Sequence, residues 1–416
     1  MLSVKRTLFV GASLLAIYIL FFLSYANLVG PSFGYMGFGN DFSSSRFFFS
    51  FLFVVFTISF IAFCKNDFDR YICVLLFVFV TAPNIVIFCF MPSDYIIVLW
   101  SVLCVPLTLL FMRVLPVFKT KTVSNDFQCK FLWFFLVFLS MLVFLAHGFK
   151  LNLDVFMLKN IYELRLESRE SSTKSSVYAY FTLAKVICPI AIIWAFDNKN
   201  KLMALFSVFV LTYLYMTTGH KSVYFSVFII LAFMVGKNSH FDKLKLFLIG
   251  IVLLFCILRL LSEFFELTLF ESLFIRRLFY IPALLNIYFF DYFSDLKLYY
   301  SGSFLSLLID YPLDRVPARE IGLVYFNSED MSANNGYLSD GFANFGSLGI
   351  LISIFFTSWV FKFFKAYEVS PKYYGIIFVT FYAFQGSGLS ASLFTHGVFL
   401  LTLMIPFFLR GSKKGI

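Results

Sequence analysis

The run "YICVLLFVFVTAPNIVIFCFMP", residues 71–92, decides the fold class of this chain. It carries no charged side chain over the length that an α-helix needs to cross the hydrocarbon core of a bilayer, about 20 residues. Lipid offers no hydrogen-bond partners, so the backbone of such a segment has to satisfy its own polar groups as a helix. The run is therefore predicted to be a membrane-spanning helix.

The rest of the chain repeats this pattern. Of its 416 residues, 61% are hydrophobic and 13% are charged, whereas soluble domains contain about 25% charged residues. The mean hydropathy is +0.88. These values predict an all-α, polytopic integral membrane helix bundle of about 12 transmembrane helices, a single transmembrane domain over residues 1–416. The twelve predicted spans are 7–28, 46–64, 71–92, 95–117, 130–148, 176–196, 201–217, 221–236, 245–264, 346–365, 373–388 and 390–409.

The basic residues of the connections predict the orientation. Lysines and arginines of the short connections fall mainly on the side of the N-terminus, which the positive-inside rule assigns to the cytoplasm. Both termini are then expected in the cytoplasm. The net charge of +10 follows from this arrangement and does not call for nucleic acid as a partner. Two connections, 149–175 and 265–345, are long enough to carry function, and both are predicted to lie outside.

The first long connection contains "NIYELRLESRESSTKSS", residues 160–176. Its spacing predicts a helix with Arg165 and Arg169 four residues apart on one face. Arginine is the side chain best shaped for bidentate contacts to phosphate or carboxylate. Two adjacent guanidinium groups therefore indicate an anion site, and the alternative is ion pairing along the helix with its acidic residues, Glu163, Glu167 and Glu170.

The second long connection opens with Arg276 and Arg277 among aromatic residues. The amphipathic stretch that follows is expected to lie along the membrane surface. Asp291 and the tyrosines near it suit carbohydrate, and an interfacial aromatic belt is the alternative.

Charged residues at membrane depth are costly and usually face the bundle interior or a wet cavity. Lys185 and Arg259 are two such residues in the predicted spans. Arg259 is expected to pair with Glu263, one helical turn further on.

Four stretches together resemble the Wzy-type O-antigen (oligosaccharide repeat-unit) polymerases and, more loosely, the O-antigen ligases. They are "YELRLESRE" (162–170), "TTGHKS" (217–222), "RRLFYIPALLNIYFFDYF" (276–293) and "NNGYLSDGFANFGSLG" (334–349). In the last stretch, Asn334 stands where the ligases have histidine, and in "TTGHKS" the family often has arginine where this chain has Lys221. The residues of the last stretch that match the superfamily pattern are Asn335, Tyr337, Leu338, Gly346 and Gly349.

The resemblance implies a glycosyltransferase C fold and a glycosyl transfer at the periplasmic face of a bacterial inner membrane. A glycan on undecaprenyl pyrophosphate would move onto the incoming lipid-linked repeat unit, without a metal or other cofactor. The implied partners are this lipid-linked oligosaccharide, membrane lipid and a chain-length regulator, with no nucleic acid. The implied pyrophosphate contacts are Arg165, Arg169, Lys221, Arg276 and Arg277, with Arg169 and Arg276 also catalytic. The implied sugar contacts are Asn334, Asn335, Tyr337 and Asp291.

Asp340 is predicted to be the catalytic base, because a carboxylate flanked by Gly341 and by amides is placed to approach a sugar hydroxyl. Two other roles stay open for it. Aspartate favours the N-cap of a helix, and it also serves as a hydrogen-bond acceptor for sugar.

Three other functions remain open at this point. A ligase that joins glycan to the lipid A core would use the same chemistry with another acceptor. A lipid-linked oligosaccharide flippase or transporter has about as many spans, although such proteins usually show paired repeats. A non-catalytic membrane scaffold is the third.

Overall fold

The computed structural model describes residues 2–118, 120–148, 152, 155, 161–303 and 305–410. Within these residues every regular element is helical. The principal helices are α1 (Val4–Ser32), α2 (Ser44–Ala62), α3 (Asp67–Phe90), α4 (Tyr95–Val114), α5 (Asn125–His147), α6 (Ile161–Ser171), α7 (Lys174–Asp197), α8 (Lys201–Thr218), α9 (Lys221–Met234), α10 (His240–Phe265), α11 (Thr268–Tyr292), α12 (Pro317–Phe326), α13 (Tyr337–Ala366), α14 (Tyr374–Gly386) and α15 (Val398–Leu409).

Among the described residues, 10 helices are long and apolar enough to cross a membrane, namely α1 to α5, α7, α8, α10, α11 and α13. The chain is therefore a multi-pass helical membrane protein. The sequence predicted about twelve spans, and the difference lies in four segments. The predicted spans 221–236, 373–388 and 390–409 form the shorter helices α9, α14 and α15, whereas α11 lies in a stretch that was expected to be a loop.

The chain divides into two compact units. The first comprises Met1–Leu115, His240–Trp359 and Phe384–Leu389. The second comprises Pro116–Ser239, Val360–Ala383 and Ser390–Ile416.

In the first unit α1, α3 and α10 run parallel to one another. Near their starts, the guanidinium of Arg6 in α1 contacts the Asp67 carboxylate of α3 at 3.0 Å and stacks on the Phe241 ring of α10. Near their ends, the Tyr25 ring of α1 contacts Phe90 of α3 at 4.9 Å. We call the end where these helices begin the near end, and the opposite end the far end.

Helix α11 begins and finishes at the far end. Its start follows directly on the last turn of α10. Close to its other end, Asn286 donates to the Asn84 side chain of α3 at 3.1 Å, and the Tyr288 hydroxyl donates to the carbonyl of Met36, just beyond α1, at 3.3 Å. The connection after α11 therefore leaves from the same end as the turn before it.

The middle of α11 reaches deep between the other helices. The Phe279 ring contacts Phe21 of α1 at 4.9 Å, Phe79 of α3 at 5.0 Å and Phe255 of α10 at 5.8 Å. Each of these partners lies about ten residues before the far end of its helix.

The middle of α11 is therefore enclosed by protein: Phe279 and Tyr280 are both fully buried in the first unit. The sequence predicted that this stretch lies along the membrane surface. The helix is instead long and apolar enough to cross a membrane, and its aromatic side chains pack inside the first unit.

In the second unit α5 and α7 run antiparallel. At one end the indole of Trp194 donates to the Gln128 side chain at 2.7 Å. At the other end, which we call the loop end, His147 and Ser171 are hydrogen bonded at 3.0 Å. Helix α8 finishes at the loop end as well, where the hydroxyls of Tyr180 and Thr218 lie 2.9 Å apart.

Candidate functional site

The stretch 334–349 forms a helix, a break and a second helix. The break in α13 lies at Phe345 and Gly346, and Gly346 has a φ of 60° and a ψ of −141°, a backbone conformation that favours glycine. The two arms then lie backbone to backbone, because a Cβ on Gly341 would come within 2.5 Å of the Gly349 carbonyl oxygen. Gly341, Gly346 and Gly349 are thus explained by the break and by this close approach.

Asp340 lies inside the first unit, where its carboxylate is fully engaged with protein groups. One oxygen, Oδ2, accepts from the backbone N–H of Leu389 at 2.9 Å and from the Tyr300 hydroxyl at 3.3 Å. The other, Oδ1, accepts from the Asn344 side chain at 3.4 Å. Burial and then the neighbouring Asp340 carboxylate raise the pKa of Tyr300, so its hydroxyl stays a donor.

These contacts bear on the alternatives for Asp340. It does not cap its own helix, since α13 begins at Tyr337 and the Asp340 carboxylate accepts from a segment far along the chain. It is a hydrogen-bond acceptor that joins α13 to Leu389 and Tyr300. Its role as a catalytic base stays a prediction.

A chain of buried polar side chains runs beside Asp340. Asn335 donates to Asn286 at 2.9 Å and to Ser339 at 2.7 Å, and Ser339 donates to the same Asn286 oxygen at 2.5 Å. Asn286 in turn donates to Asn84. Satisfied amides of this kind fix the mutual position of α3, α11 and α13.

The predicted sugar contacts of this stretch differ in accessibility. Asn334 is exposed. Asn335 is 7% exposed with its amide engaged, and Tyr337 is 2% exposed. Sugar binding by all three stays a prediction, and for Asn335 and Tyr337 it would require their side chains to leave these positions.

Arg276 is held inside the first unit by neutral groups. It is 8% exposed, its Nε donates to the Ser272 hydroxyl at 3.0 Å, and its guanidinium lies 4.2 Å from the centre of the Phe33 ring. Its Nη1 donates to the sulfur of Met36 at 2.9 Å. No carboxylate contacts it in the described part of the chain, so its charge is not compensated there. The neighbouring Arg277 is exposed.

Asp291 is exposed at the end of α11, and its carboxylate accepts from the Tyr325 hydroxyl of α12 at 2.5 Å. The Tyr325 ring stacks on Tyr288 with 4.2 Å between centroids. Next to this pair, the Tyr292 hydroxyl donates to Glu320 at 3.1 Å. Aromatic faces and oriented carboxylates are the groups that carbohydrate sites use, and sugar binding by Asp291 stays a prediction.

Arg165, in α6 of the second unit, is also held by a neutral group. Its Nη2 donates to the backbone carbonyl of Gly219 at 3.2 Å, while its buried Nε has no hydrogen-bond partner among the described residues. No ion pair with Glu163, Glu167 or Glu170 is found for it in that part of the chain. The side chains of Arg169 and Lys221 lie outside the described residues.

The predicted pair between Arg259 and Glu263 is confirmed, with 2.7 Å between the guanidinium and the carboxylate. Arg259 also approaches Glu271 of α11 to 4.0 Å. This cation is therefore balanced by acids, whereas Arg165 and Arg276 have no such partner among the residues that the structure describes.

The ten predicted site residues divide between the two units. Arg165, Arg169 and Lys221 belong to the second unit, and the other seven belong to the first. Four polar residues that the sequence reasoning did not select take part in the contacts around Asp340 and Asn335, because no local motif marks them: Asn84, Asn286, Tyr300 and Asn344.

Comparison with protein-family models, with curated proteins and with solved structures finds no match for this chain.

Proposed function

We propose that this protein is an O-antigen polymerase, a glycosyltransferase that moves a glycan from undecaprenyl pyrophosphate onto the incoming lipid-linked repeat unit. One observation carries the proposal. Arg165 in the second unit and Arg276 in the first are each held by neutral acceptors and not by a carboxylate, in the part of the chain that is described. A guanidinium held in this way keeps its charge for an anionic ligand.

The reaction needs such charges. The bond between the anomeric carbon and the pyrophosphate oxygen breaks, and a bond from that carbon to the acceptor hydroxyl oxygen forms as the hydroxyl loses its proton. The leaving pyrophosphate takes the electron pair and gains negative charge. Fixed cations near that oxygen lower the barrier, and electrostatic stabilisation of this kind is often the largest catalytic term. Arginine side chains would here stabilise the leaving pyrophosphate, as a metal ion does in other transferases.

The arrangement of basic residues supports a cytoplasmic near end. Lys65, Arg70 and Lys243 lie there together with Arg6, as the positive-inside rule requires of the cytoplasmic side. The far end, with Asp291 and the connection after α11, would then face the periplasm. The resemblance to the O-antigen polymerases supports the bacterial inner membrane as its location.

The test is to delete the gene, restore it with variants, and resolve surface polysaccharide on a gel. A polymerase defect leaves a single repeat unit on the core, whereas bare core indicates a ligase or a flippase. Arg165→Ala is expected to abolish long chains at normal protein level, and Arg165→Lys to restore them poorly, since a point charge replaces a planar fork. Arg319→Ala, which removes an exposed arginine of α12, is the matched control and should leave the ladder intact. A full ladder from the deletion strain would overturn the proposal.

A further inference from the structure

The ring of Phe181 in the second unit is surrounded by three basic side chains. The Lys185 Nζ lies 5.1 Å from the ring centre. The imidazole of His396 lies 4.8 Å from it, and that of His220 lies 6.5 Å from it. These residues come from three separate parts of the chain: helix α7, the turn between α8 and α9, and the turn before α15. The tertiary structure alone brings them together.

Lys185 and His396 have no acidic partner among the residues that the structure describes. In the described part of the chain, Lys185 forms no ion pair, and its ammonium lies over the face of the Phe181 ring. The Nδ1 atom of His396 is buried and has no hydrogen-bond partner there. A partly desolvated cation such as the Lys185 ammonium is costly unless it is paired. A bound anion would remove this cost.

The position of this group along α7 indicates what kind of anion it would bind. Lys185 lies 11 residues after the start of α7 at Lys174, or ~16 Å along the helix axis at 1.5 Å per residue. Helical side chains point back toward the N-terminus, so the ammonium returns by about one turn to the level of Phe181. That level is close to the loop end, where Tyr180 meets Thr218. The phosphates of a bilayer lie beyond the two ends of its hydrocarbon core, so the membrane anion that could reach this group from the loop end is a lipid phosphate.

The turn that carries His396 is fixed against α7. Gly397 has a φ of 74°, and a Cβ added there would lie 3.1 Å from the Val186 side chain, next to Lys185. The backbone N–H of His396 donates to the Ala391 carbonyl at 2.9 Å. The imidazole is therefore held beside the lysine by backbone packing.

We propose that Lys185 and His396, with His220, form a binding subsite for the phosphate of a membrane lipid. The ammonium supplies a charge, and the Nδ1 of His396 supplies a hydrogen bond to a phosphate oxygen. That the lipid is a polyprenyl diphosphate rests on the proposed function, whereas the subsite itself does not.

The experiment measures lipid binding to the full-length protein in detergent by native mass spectrometry. The probes are undecaprenyl diphosphate, phosphatidylglycerol and, as a lipid without phosphate, diacylglycerol. The variants are Lys185→Met, Lys185→Arg and His396→Gln, with Lys174→Met as the matched control, because Lys174 is an exposed lysine on the same helix. Thermal unfolding of each variant shows whether it folds.

Lys185→Met and His396→Gln should each weaken binding of a phosphate-bearing lipid by about tenfold or more, as expected for loss of a contact to a charged group. Lys185→Arg and Lys174→Met should bind nearly as the native protein does. Weakening confined to undecaprenyl diphosphate identifies the polyprenyl lipid, and weakening of phosphatidylglycerol as well identifies any anionic lipid. Native affinity for both phosphate lipids in Lys185→Met and His396→Gln would overturn the subsite, even if the polysaccharide assay supports a polymerase.

Discussion

The sharpest prediction concerns Asp340. Its substitution removes hydrogen bonds and so lowers the stability of the protein, whereas loss of a catalytic base would lower its activity. In Asp340→Ala the buried N–H of Leu389 loses its acceptor, which costs ~1–3 kcal/mol. The hydrogen bond from the Tyr300 hydroxyl, 3.3 Å long, contributes ~1 kcal/mol more. The free energy of unfolding should therefore fall by about 3 kcal/mol in this variant.

Asp340→Asn has a smaller structural effect. The side-chain oxygen that remains can still accept from Leu389, while the new NH₂ group faces the Asn344 amide, itself a donor in the native contact. The loss should be ~1 kcal/mol, comparable to one ordinary hydrogen bond. If Asp340 is structural, the asparagine variant keeps its polysaccharide ladder and the alanine variant loses folded protein. If Asp340 is a base, both variants lose the ladder, since an amide cannot take a proton.

The assay compares thermal unfolding of the purified protein with ladder length and membrane protein level in cells. Asp314→Ala is the matched control, because Asp314 is an exposed carboxylate in the connection between α11 and α12. Native thermal stability of Asp340→Ala would refute the hydrogen-bond reasoning. Loss of polymer in Asp340→Asn at native stability and protein level would instead establish the base.

Three further predictions follow from the fold. Gly349→Ala should destabilise the protein by ~1–3 kcal/mol by overpacking, because its Cβ would lie 1.9 Å from a backbone oxygen. Gly250→Ala is the control and should not destabilise the protein, since the space around Gly250 is open. Equal thermal stability of the two variants would contradict the close approach. Ser328→Cys should react with an impermeant thiol reagent from outside intact cells and native Cys129 should not, and the reverse pattern would invert the proposed orientation. Arg276→Met should shorten chains more than Arg276→Lys at equal protein level, as judged on the polysaccharide gel, and full-length ladders from both would exclude this arginine from catalysis.

Much of the helical architecture could be predicted from sequence because long apolar runs have one stable form in lipid. Nine of the predicted spans coincide with helices of crossing length. The ends of several helices could not be predicted, since the turn at Gly397 and the end of α9 at Met234 depend on packing. The site was less predictable than the fold. The buried position of Asn335 is an example, because the sequence alone does not show whether an asparagine side chain faces solvent or another amide.

Hydrophobicity along the chain by itself determined that this protein is a multi-pass helical membrane protein, because the cost of an unsatisfied backbone in lipid depends on local sequence only. The tertiary structure decided what local sequence does not encode. It packed α11 inside the first unit, since Phe279 has aromatic partners on three helices at once. It also brought Lys185 and His396 together, although they lie about 200 residues apart in sequence. The pair of Arg259 with Glu263, by contrast, could be predicted because the two residues are one helical turn apart.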